Sequence, residues 1–424
     1  MSVFTADVYQ NEYLPADGSE VNAIVTVTAS GGSGSAAQPE AAEIVIVDTS
    51  GSMDVPRSKI KAAREATDVA IDCIRDGVAF GVISGTETAY PAYAPNRELV
   101  PATATRRAEA KRAVASLSAG GGTAIGSWLT LAKQLFETAP DRVCHAILLT
   151  DGENQHETPE HLDATLATCE GHFQCDCRGV GTDWKVDELR RIASVLLGTV
   201  DIIPDPADMA NDFRSMIETA MGKATQRVSL RVWTPQGAHV AFVRQVAPTI
   251  EELTDRAVEV NALTADYPTG TWGEESRDYH LCIKVQPRAL GDEMLAARVS
   301  LVEGDEVLSQ GLIKAIWTDD QHLSTRINRE VAHYTGQAEL AECIQEGLEA
   351  RKAGDKATAT FKLGRAVQLA SESGNDGTMK LLGAVVDVDD AATGTVRLRS
   401  EVADVDEMAL DTRSTKTVRA GPAP

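Results

Sequence analysis

EIVIVDTSGSM, residues 43–53, is the stretch that decides the fold of this chain. After Glu43, residues 44–47 form a continuous apolar run, which is typical of a strand buried on both faces of a parallel sheet. The run ends at Asp48, and Ser50 and Ser52 follow at the second and fourth positions after it. We expect this carboxylate and the two hydroxyls to surround one point at the carboxyl end of the strand, where open α/β sheets bind their ligands.

The residues that follow alternate between helical and strand-like segments. Residues 58–74 have the apolar spacing of a helix, 78–84 are strand-like, and 144–150 (CHAILLT) form a second buried run. The alternation ends with a helix over 208–222. Strands alternating with helices of this length predict an α/β domain over 41–225, with a doubly wound, mostly parallel sheet.

The segments on either side of this domain show a different pattern. Residues 21–30 and 279–285 alternate apolar and polar side chains, as antiparallel strands with one buried face do. Residues 297–317 have the pattern of a hairpin. We predict a β-sandwich over 226–318 that the strand at 21–30 joins, which makes the α/β domain an insertion in the β domain.

The remaining segments of the chain are a linker, a helical region and a tail. Residues 1–40 are expected to supply the N-terminal strand and then a flexible linker, GGSGSAAQPE at 31–40. Residues 324–386 have helical spacing and one hairpin of the tetratricopeptide type. A single repeat cannot form a solenoid, so a small helical bundle is predicted. Residues 387–424 are polar and end in GPAP, and we expect a flexible tail.

Two further segments are aimed at the sheet edge that carries Asp48. Three glycines precede Thr123 just before a helix, and Asp151 directly follows the buried run CHAILLT, within the sequence Thr150-Asp151-Gly152. The combined set is two carboxylates and three hydroxyls, with no soft ligand. Magnesium prefers oxygen ligands and keeps several waters, so a Mg²⁺ site is predicted, with Mn²⁺ or Ca²⁺ as alternatives and zinc not expected.

The pattern D-x-S-x-S, then a threonine after a glycine-rich loop, then a strand-terminal T-D-G resembles the metal-ion-dependent adhesion site of the von Willebrand factor A domain family. The resemblance covers about residues 42–225. It implies that Ser50 and Ser52 ligate the ion directly, that Thr123 does so conditionally, and that Asp48 and Asp151 act largely through water. It also implies that an acidic residue of a partner protein completes the coordination.

The same residues have three other interpretations. DTSGS alone could be a simple turn between a strand and a helix, because Asp, Ser and Gly are common in turns. The positions of Thr123 and Asp151 at other strand ends favour a metal site over a simple turn. A metal-dependent phosphohydrolase would use Asp48 as its nucleophile, but that chemistry wants an acid two residues later, where Ser50 stands. The signatures of P-loop NTPases, zinc proteases and common serine hydrolases are missing, so no enzyme activity is expected. A structural subunit with a vestigial site is the third alternative.

The cysteines and the tail supply two weaker candidates. Cys169, Cys175 and Cys177 lie near His161 and His172, but their spacing does not match zinc sites, so buried thiols are expected. The tail holds four hydroxyl residues between basic ones. They are candidate acceptors for a Ser/Thr kinase, read by a forkhead-associated or similar phosphothreonine-binding domain: Thr412, Ser414, Thr415 and Thr417.

The composition limits the partners and the compartment. With 40 Lys plus Arg and 63 Asp plus Glu, the net charge of −23 disfavours nucleic acid and anionic membranes. Seven cysteines, an odd number, and the absence of a leader or an apolar run of membrane length favour the cytoplasm. Family resemblance implies a bacterial protein whose partners include kinases, phosphatases, stress systems or MoxR-type ATPases.

Overall fold

The structure, a computed structural model, describes residues 3–31, 40–223 and 225–420. The chain divides into two compact units: Ser35–Thr225 forms one, and the segments before and after it together form the other. Most of the predicted linker at 31–40, and the final residues GPAP, lie outside the described residues.

The strands form three sheets and one separate hairpin. In chain order they are β1 (Val3–Gln10), β2 (Tyr13–Leu14), β3 (Glu20–Ser30), β4 (Ala41–Asp48), β5 (Ala79–Gly85), β6 (Ala89–Tyr93), β7 (Val100–Pro101), β8 (Val143–Thr150), β9 (Gln174–Val180), β10 (Val200–Ile203), β11 (Thr225–Trp233), β12 (His239–Ala247), β13 (Glu251–Glu252), β14 (Val258–Asn261), β15 (Thr264–Trp272), β16 (Glu275–Lys284), β17 (Glu293–Glu303), β18 (Glu306–Trp317), β19 (Val386–Asp390) and β20 (Thr395–Leu398).

The helices fall into two groups, one for each unit. In chain order they are α1 (Ser58–Cys73), α2 (Ala104–Ala115), α3 (Ile125–Phe136), α4 (Pro159–Cys169), α5 (Val186–Val195), α6 (Met209–Met221), α7 (Gln321–Ser324), α8 (Arg329–Lys352), α9 (Lys356–Ser373), α10 (Asp376–Val385) and α11 (Asp404–Arg413).

The unit formed by Ser35–Thr225 is an α/β domain around one sheet. Its strands lie in the order β10-β9-β8-β4-β5-β6, with β7 also paired to β5. The first five strands in this order are parallel, while β6 and β7 run antiparallel to β5. This confirms the predicted mostly parallel fold. The two antiparallel strands were not predicted, because AYPAY contains a proline and Val100–Pro101 is too short to show a period.

Strand β4 lies at the centre of this sheet, with every residue buried. It pairs with β8 on one side and with β5 on the other. On one face Val45 and Val47 pack with Ile71 of α1 and Phe213 of α6. Burial on both faces explains the continuous apolar run, and it fixes where the strand delivers Asp48.

A buried polar cluster crosses the same sheet near the amino ends of three strands. His145 Nδ1 lies 2.9 Å from Glu43 Oε1, and His145 Nε2 lies 3.0 Å from Asp176 Oδ2. Burial by itself lowers the pKa of His145, but the two carboxylates outweigh it and raise that pKa to about 10. The histidine is therefore held as an imidazolium that links β4, β8 and β9.

The second unit contains a β-sandwich. One sheet has the order β1-β3-β16-β12-β13 and the other the order β14-β15-β11-β17-β18-β2. Their inner faces share one core, in which Val25 of β3, Leu230 of β11 and Leu281 of β16 are all buried. Strand β3 precedes the α/β domain in sequence, and it pairs along its length with β16, which follows that domain. The α/β domain thus interrupts the sandwich in sequence.

Helices α8 to α11 and the hairpin of β19 and β20 form a second core in this unit. Val396 of the hairpin and Leu410 of α11 are buried with Leu363 of α9 and Leu382 of α10. The expected flexible tail over 387–424 is therefore wrong for the residues described, up to 420. The segment is mostly polar, so its few buried apolar residues were too widely spaced to reveal a period.

The residues after α11 are also attached. Lys416 forms an antiparallel bridge with Thr249, and the Ile250 backbone N–H donates to the Thr415 carbonyl at 2.8 Å. The Thr417 hydroxyl donates to the Val246 carbonyl at 2.6 Å. These bonds hold the end of the described chain against the loop that follows β12.

The packing of α11 gives a stability prediction. Replacing Leu410, which is fully buried, by alanine is expected to lower the free energy of unfolding by about 2–5 kcal/mol, because it leaves a cavity where α11 packs against α8 and α10. Leu290→Ala, at a half-exposed loop position of the same unit, should change it by less than about 0.5 kcal/mol. Urea unfolding measures both, and equal effects would contradict the docking of α11.

The buried cluster gives a pH prediction. The folded pKa of His145 lies above its ordinary value of 6.5, so its stabilisation is complete below about pH 6.5 and is lost as pH rises towards 10. The free energy of unfolding should fall between pH 6.5 and 9, by up to about 1.4 kcal/mol per pH unit. Urea titrations of the Glu43→Gln, His145→Gln double variant should show a flatter profile, whereas His172→Gln, at an exposed position, should retain the slope.

Candidate metal centre

Three loops meet at the carboxyl edge of the central sheet. The loop after β4 is tied to β5 by the Thr49 backbone N–H, which donates to the Gly85 carbonyl at 2.8 Å. The glycine-rich loop before α3 is tied to the same segment in both directions: the Gly120 N–H donates to the Thr49 carbonyl at 2.8 Å, and the Gly51 N–H donates to the Gly121 carbonyl at 3.0 Å. Backbone bonds therefore set the separation of the loops.

Asp48 lies at the base of the site and is fully buried. Its Oδ1 accepts a hydrogen bond from the Ser50 backbone N–H at 2.7 Å, and its Oδ2 accepts one from the Thr150 hydroxyl at 2.5 Å. Burial raises the pKa of Asp48 to about 6, against these hydrogen bonds, which lower it. The carboxylate therefore holds the loop after β4 through the Ser50 N–H, and it links that loop to the end of β8 through Thr150.

The two serines and the second aspartate form a continuous row of oxygens. Ser50 Oγ lies 2.9 Å from Ser52 Oγ, and the Ser52 hydroxyl donates to Asp151 Oδ1 at 2.6 Å. In an octahedron with metal–oxygen bonds of about 2.0–2.1 Å, neighbouring ligands lie about 2.9 Å apart. The two serine hydroxyls are hydrogen-bonded to each other, at a distance that two adjacent ligands of a Mg²⁺-sized ion would also have, and every ligand atom in the row is oxygen.

Thr123 reaches the site from the start of α3. Its backbone N–H donates to His156 Nδ1 at 3.1 Å, and its carbonyl accepts from the His156 backbone N–H at 2.9 Å. A Cβ built on Gly152 would lie 3.9 Å from Thr123 Oγ1 and 3.2 Å from Ser52 Oγ. Gly152 therefore borders the hydroxyls of both Ser52 and Thr123.

The structure thus brings the five predicted residues to one sheet edge. Sequence reasoning missed two contributors: Thr150, which bonds Asp48, and Lys59 of α1, whose Nζ lies 2.7 Å from Asp151 Oδ2. Thr150 stands beside Asp151 in the motif, so a strand-end hydroxyl was an available signal. Lys59 lies in a helix after the loop, and nothing in the sequence pattern marks it.

The tail residues lie in the other unit. Thr412 and Ser414 are buried, which disfavours phosphate transfer to them in the folded chain but does not test the phospho-acceptor hypothesis. Thr415 and Thr417 are half-buried, and the hydroxyl of Thr417 is bonded to a backbone carbonyl. For all four residues the phospho-acceptor hypothesis stays a prediction.

The three cysteines of the cluster are buried and contact protein groups. Cys169, Cys175 and Cys177 are each free thiols with buried side chains. The Cys169 thiol donates to the Leu129 carbonyl at 3.7 Å. Among residues 3–31, 40–223 and 225–420, no group of three or more His, Cys, Asp or Glu side chains is placed to hold a metal ion. The edge site differs because most of its donors are hydroxyls.

An α/β domain with an oxygen-lined edge of this kind defines the class of the protein, and comparisons define the family. The sequence-family model for the von Willebrand factor type A domain matches residues 42–202, and the family model for the von Willebrand factor type A C-terminal domain matches residues 368–414. A solved structure described as von Willebrand factor type A from Catenulispora acidiphila is 51% identical, covers 99% of this chain and 98% of that one, and superimposes with a TM-score of 0.95. The chain belongs to the von Willebrand factor type A family.

Two more distant relatives extend the comparison. The ArnB paralog VWA2 from Sulfolobus acidocaldarius is 14% identical, with 99% of this chain and 100% of that chain covered and a TM-score of 0.61, so it shares the fold. An uncharacterized protein of Synechocystis sp. is 30% identical over 151 residues, which are 35% of this chain and 36% of its own. The chain thus spans about a third of that curated relative.

Within the described parts of the chain, no helix combines the length and the apolar character needed to cross a bilayer.

The position of Gly152 gives a prediction about the site. Gly152→Ala adds a methyl group 3.2 Å from Ser52 Oγ, so this hydroxyl must shift slightly, and Mg²⁺ binding is expected to weaken about tenfold. Gly120→Ala is the matched control, because a Cβ there meets nothing within 4 Å. Isothermal titration with Mg²⁺ compares them, and equal affinities in the two variants would contradict the placement of the hydroxyls.

Proposed function

We propose that this protein is a binding protein whose α/β domain holds Mg²⁺ and uses it to capture an acidic residue of a partner protein. The observation that supports the proposal most directly is the 2.9 Å separation of Ser50 Oγ and Ser52 Oγ beside the Asp151 carboxylate. Membership of the von Willebrand factor type A family, known for metal-dependent protein interaction, supports it independently.

Each residue has a defined task in this proposal. Ser50 and Ser52 supply neutral oxygens to the ion, and Thr123 supplies a third when a partner engages. Asp48 and Asp151 hold the hydroxyls and bonded waters in place. A bound divalent ion contributes a positive centre that so few direct negative ligands leave only partly neutralised. An incoming carboxylate therefore finds a favourable place there.

The spacing of the hydroxyls favours a small ion. Ca²⁺ binds oxygen at about 2.3–2.6 Å, which would place neighbouring ligands about 3.3–3.7 Å apart. The two hydroxyls are hydrogen-bonded at 2.9 Å, and this distance would have to lengthen for Ca²⁺ but hardly for Mg²⁺ or for Mn²⁺ of similar size.

The surroundings of Asp48 favour binding over catalysis. A nucleophilic carboxylate needs an oxygen exposed to its substrate, but Asp48 is fully buried and both its oxygens accept hydrogen bonds from the protein. The position two residues later is Ser50, where a phosphohydrolase of that type needs an acid. We therefore propose a protein that is not an enzyme and whose partner provides the final ligand.

Metal binding is the first test. Isothermal titration of the full chain should show one Mg²⁺ per chain. Ser50→Ala should weaken binding by at least about tenfold, because it removes a direct ligand. Ser116→Ala is the control: Ser116 is exposed at the end of α2 and should leave the affinity unchanged. Wild-type affinity in Ser50→Ala would overturn the proposed site.

Partner capture is the second test. Proteins recovered on the immobilised chain from a native lysate are compared in Mg²⁺, in EDTA, and with Asp151→Ala in Mg²⁺. The proposal expects proteins that appear only with the intact chain and Mg²⁺. An identical set under all three conditions would show that the site takes no part in recognition.

A further inference from the structure

The buried ammonium group of Lys59 stands directly behind the proposed metal site. Lys59 is the second residue of α1, and only 9% of its side chain is exposed. Its Nζ donates to Asp151 Oδ2 at 2.7 Å, and Asp151 itself is fully buried. A lysine is almost never buried without a counter-charge, so this pair is a built part of the domain.

The loop after β9 encloses the lysine. Gly181, with φ +69°, lies close to the lysine stem: a Cβ there would be 3.9 Å from Lys59 Cε. Asp183 Oδ2 lies 3.5 Å from Nζ, but this aspartate is 72% exposed. Because solvent screens an exposed carboxylate, the interaction with Asp151 dominates.

The two oxygens of Asp151 have different tasks. Oδ1 accepts from the Ser52 hydroxyl and faces the oxygen row, while Oδ2 accepts from Lys59 and faces away from it. The ammonium thus fixes the carboxylate in the orientation that Ser52 uses. It also offsets the negative charge of Asp151, which would otherwise attract a cation at full strength.

We propose that Lys59 is an internal counter-ion of the metal site, which holds Asp151 in place and lowers the affinity of the site for a divalent cation. The inference rests on the proposed function and extends it. Because Lys59 offsets the charge of Asp151, a bound ion is less fully neutralised and keeps its preference for one more anionic ligand. Lys59 therefore lowers the affinity of the site for the metal and raises the affinity of the bound metal for a partner carboxylate. The ammonium also balances Asp151 when the protein folds without metal.

Mn²⁺ titration of the full chain, followed by isothermal titration and by the electron paramagnetic resonance of free Mn²⁺, tests the proposal. Lys59→Met keeps the length of the stem and removes the charge, so it should bind Mn²⁺ at least about tenfold more tightly than wild type. Lys59→Arg keeps the charge and should stay within about threefold of wild type. Asp183→Asn, the control at the exposed carboxylate, should do the same.

Thermal unfolding provides a readout that is independent of the dissociation constants. In EDTA, Lys59→Met leaves Asp151 buried without its counter-charge and should melt below wild type. Saturating Mg²⁺ should then raise its melting temperature more than that of wild type. Lys59→Gln serves as the second uncharged variant if Lys59→Met does not fold in EDTA.

The outcomes separate the two levels of the proposal. Equal Mn²⁺ affinity in wild type and the uncharged variants, or weaker affinity in those variants, would show that Lys59 only tethers Asp151 and would overturn the counter-ion role. A wild-type chain that binds no Mn²⁺ would instead overturn the proposed function itself.

Discussion

The hydrogen bond from the Thr150 hydroxyl to Asp48 Oδ2 joins the ends of the two central strands, and the site depends on it. Strands β4 and β8 are parallel neighbours with fully or largely buried residues, so their ends cannot slide without exposing the core. The loops after them begin from fixed points. The serines reach a common centre because the sheet decides where each loop starts.

Two buried clusters of the α/β domain pair carboxylates with a cation. At the amino ends of the strands, His145 is an imidazolium between Glu43 and Asp176. At the carboxyl edge, Lys59 balances Asp151. In both clusters a cation offsets buried carboxylate charge, in a chain whose net charge is −23. At physiological salt, charges beyond about 8 Å are largely screened. The electrostatic attraction of an acidic partner would therefore depend on the bound ion and its nearest charged groups, and less on the net charge of the chain.

Sequence predicted the fold where periodicity was strong. The buried run at 43–47, the helices of the α/β domain and the hairpin of β17 and β18 all carry clear patterns, and the structure contains them. The motif residues from Asp48 to Asp151 converge because parallel strands end at one edge. Pairings of distant segments, such as Lys59 with Asp151, leave no periodic trace.

The tail is a segment whose structure could not be predicted from its own sequence. Residues 387–420 are polar enough to suggest disorder, yet Val396 and Leu410 are buried in a core supplied by α9 and α10. A short segment can be ordered by a surface built elsewhere in the chain, and its own composition then says little. Two of the four tail hydroxyls proposed as phosphate acceptors, at 412 and 414, are buried for the same reason.

The most direct test of the central claim is a crystal structure grown in Mn²⁺ and measured with anomalous scattering. The account predicts one strong anomalous peak at the carboxyl edge of the sheet, within bonding distance of Ser50 Oγ and Ser52 Oγ. A crystal saturated with Mn²⁺ that shows no peak at these hydroxyls, or a peak held only by other residues, would contradict it.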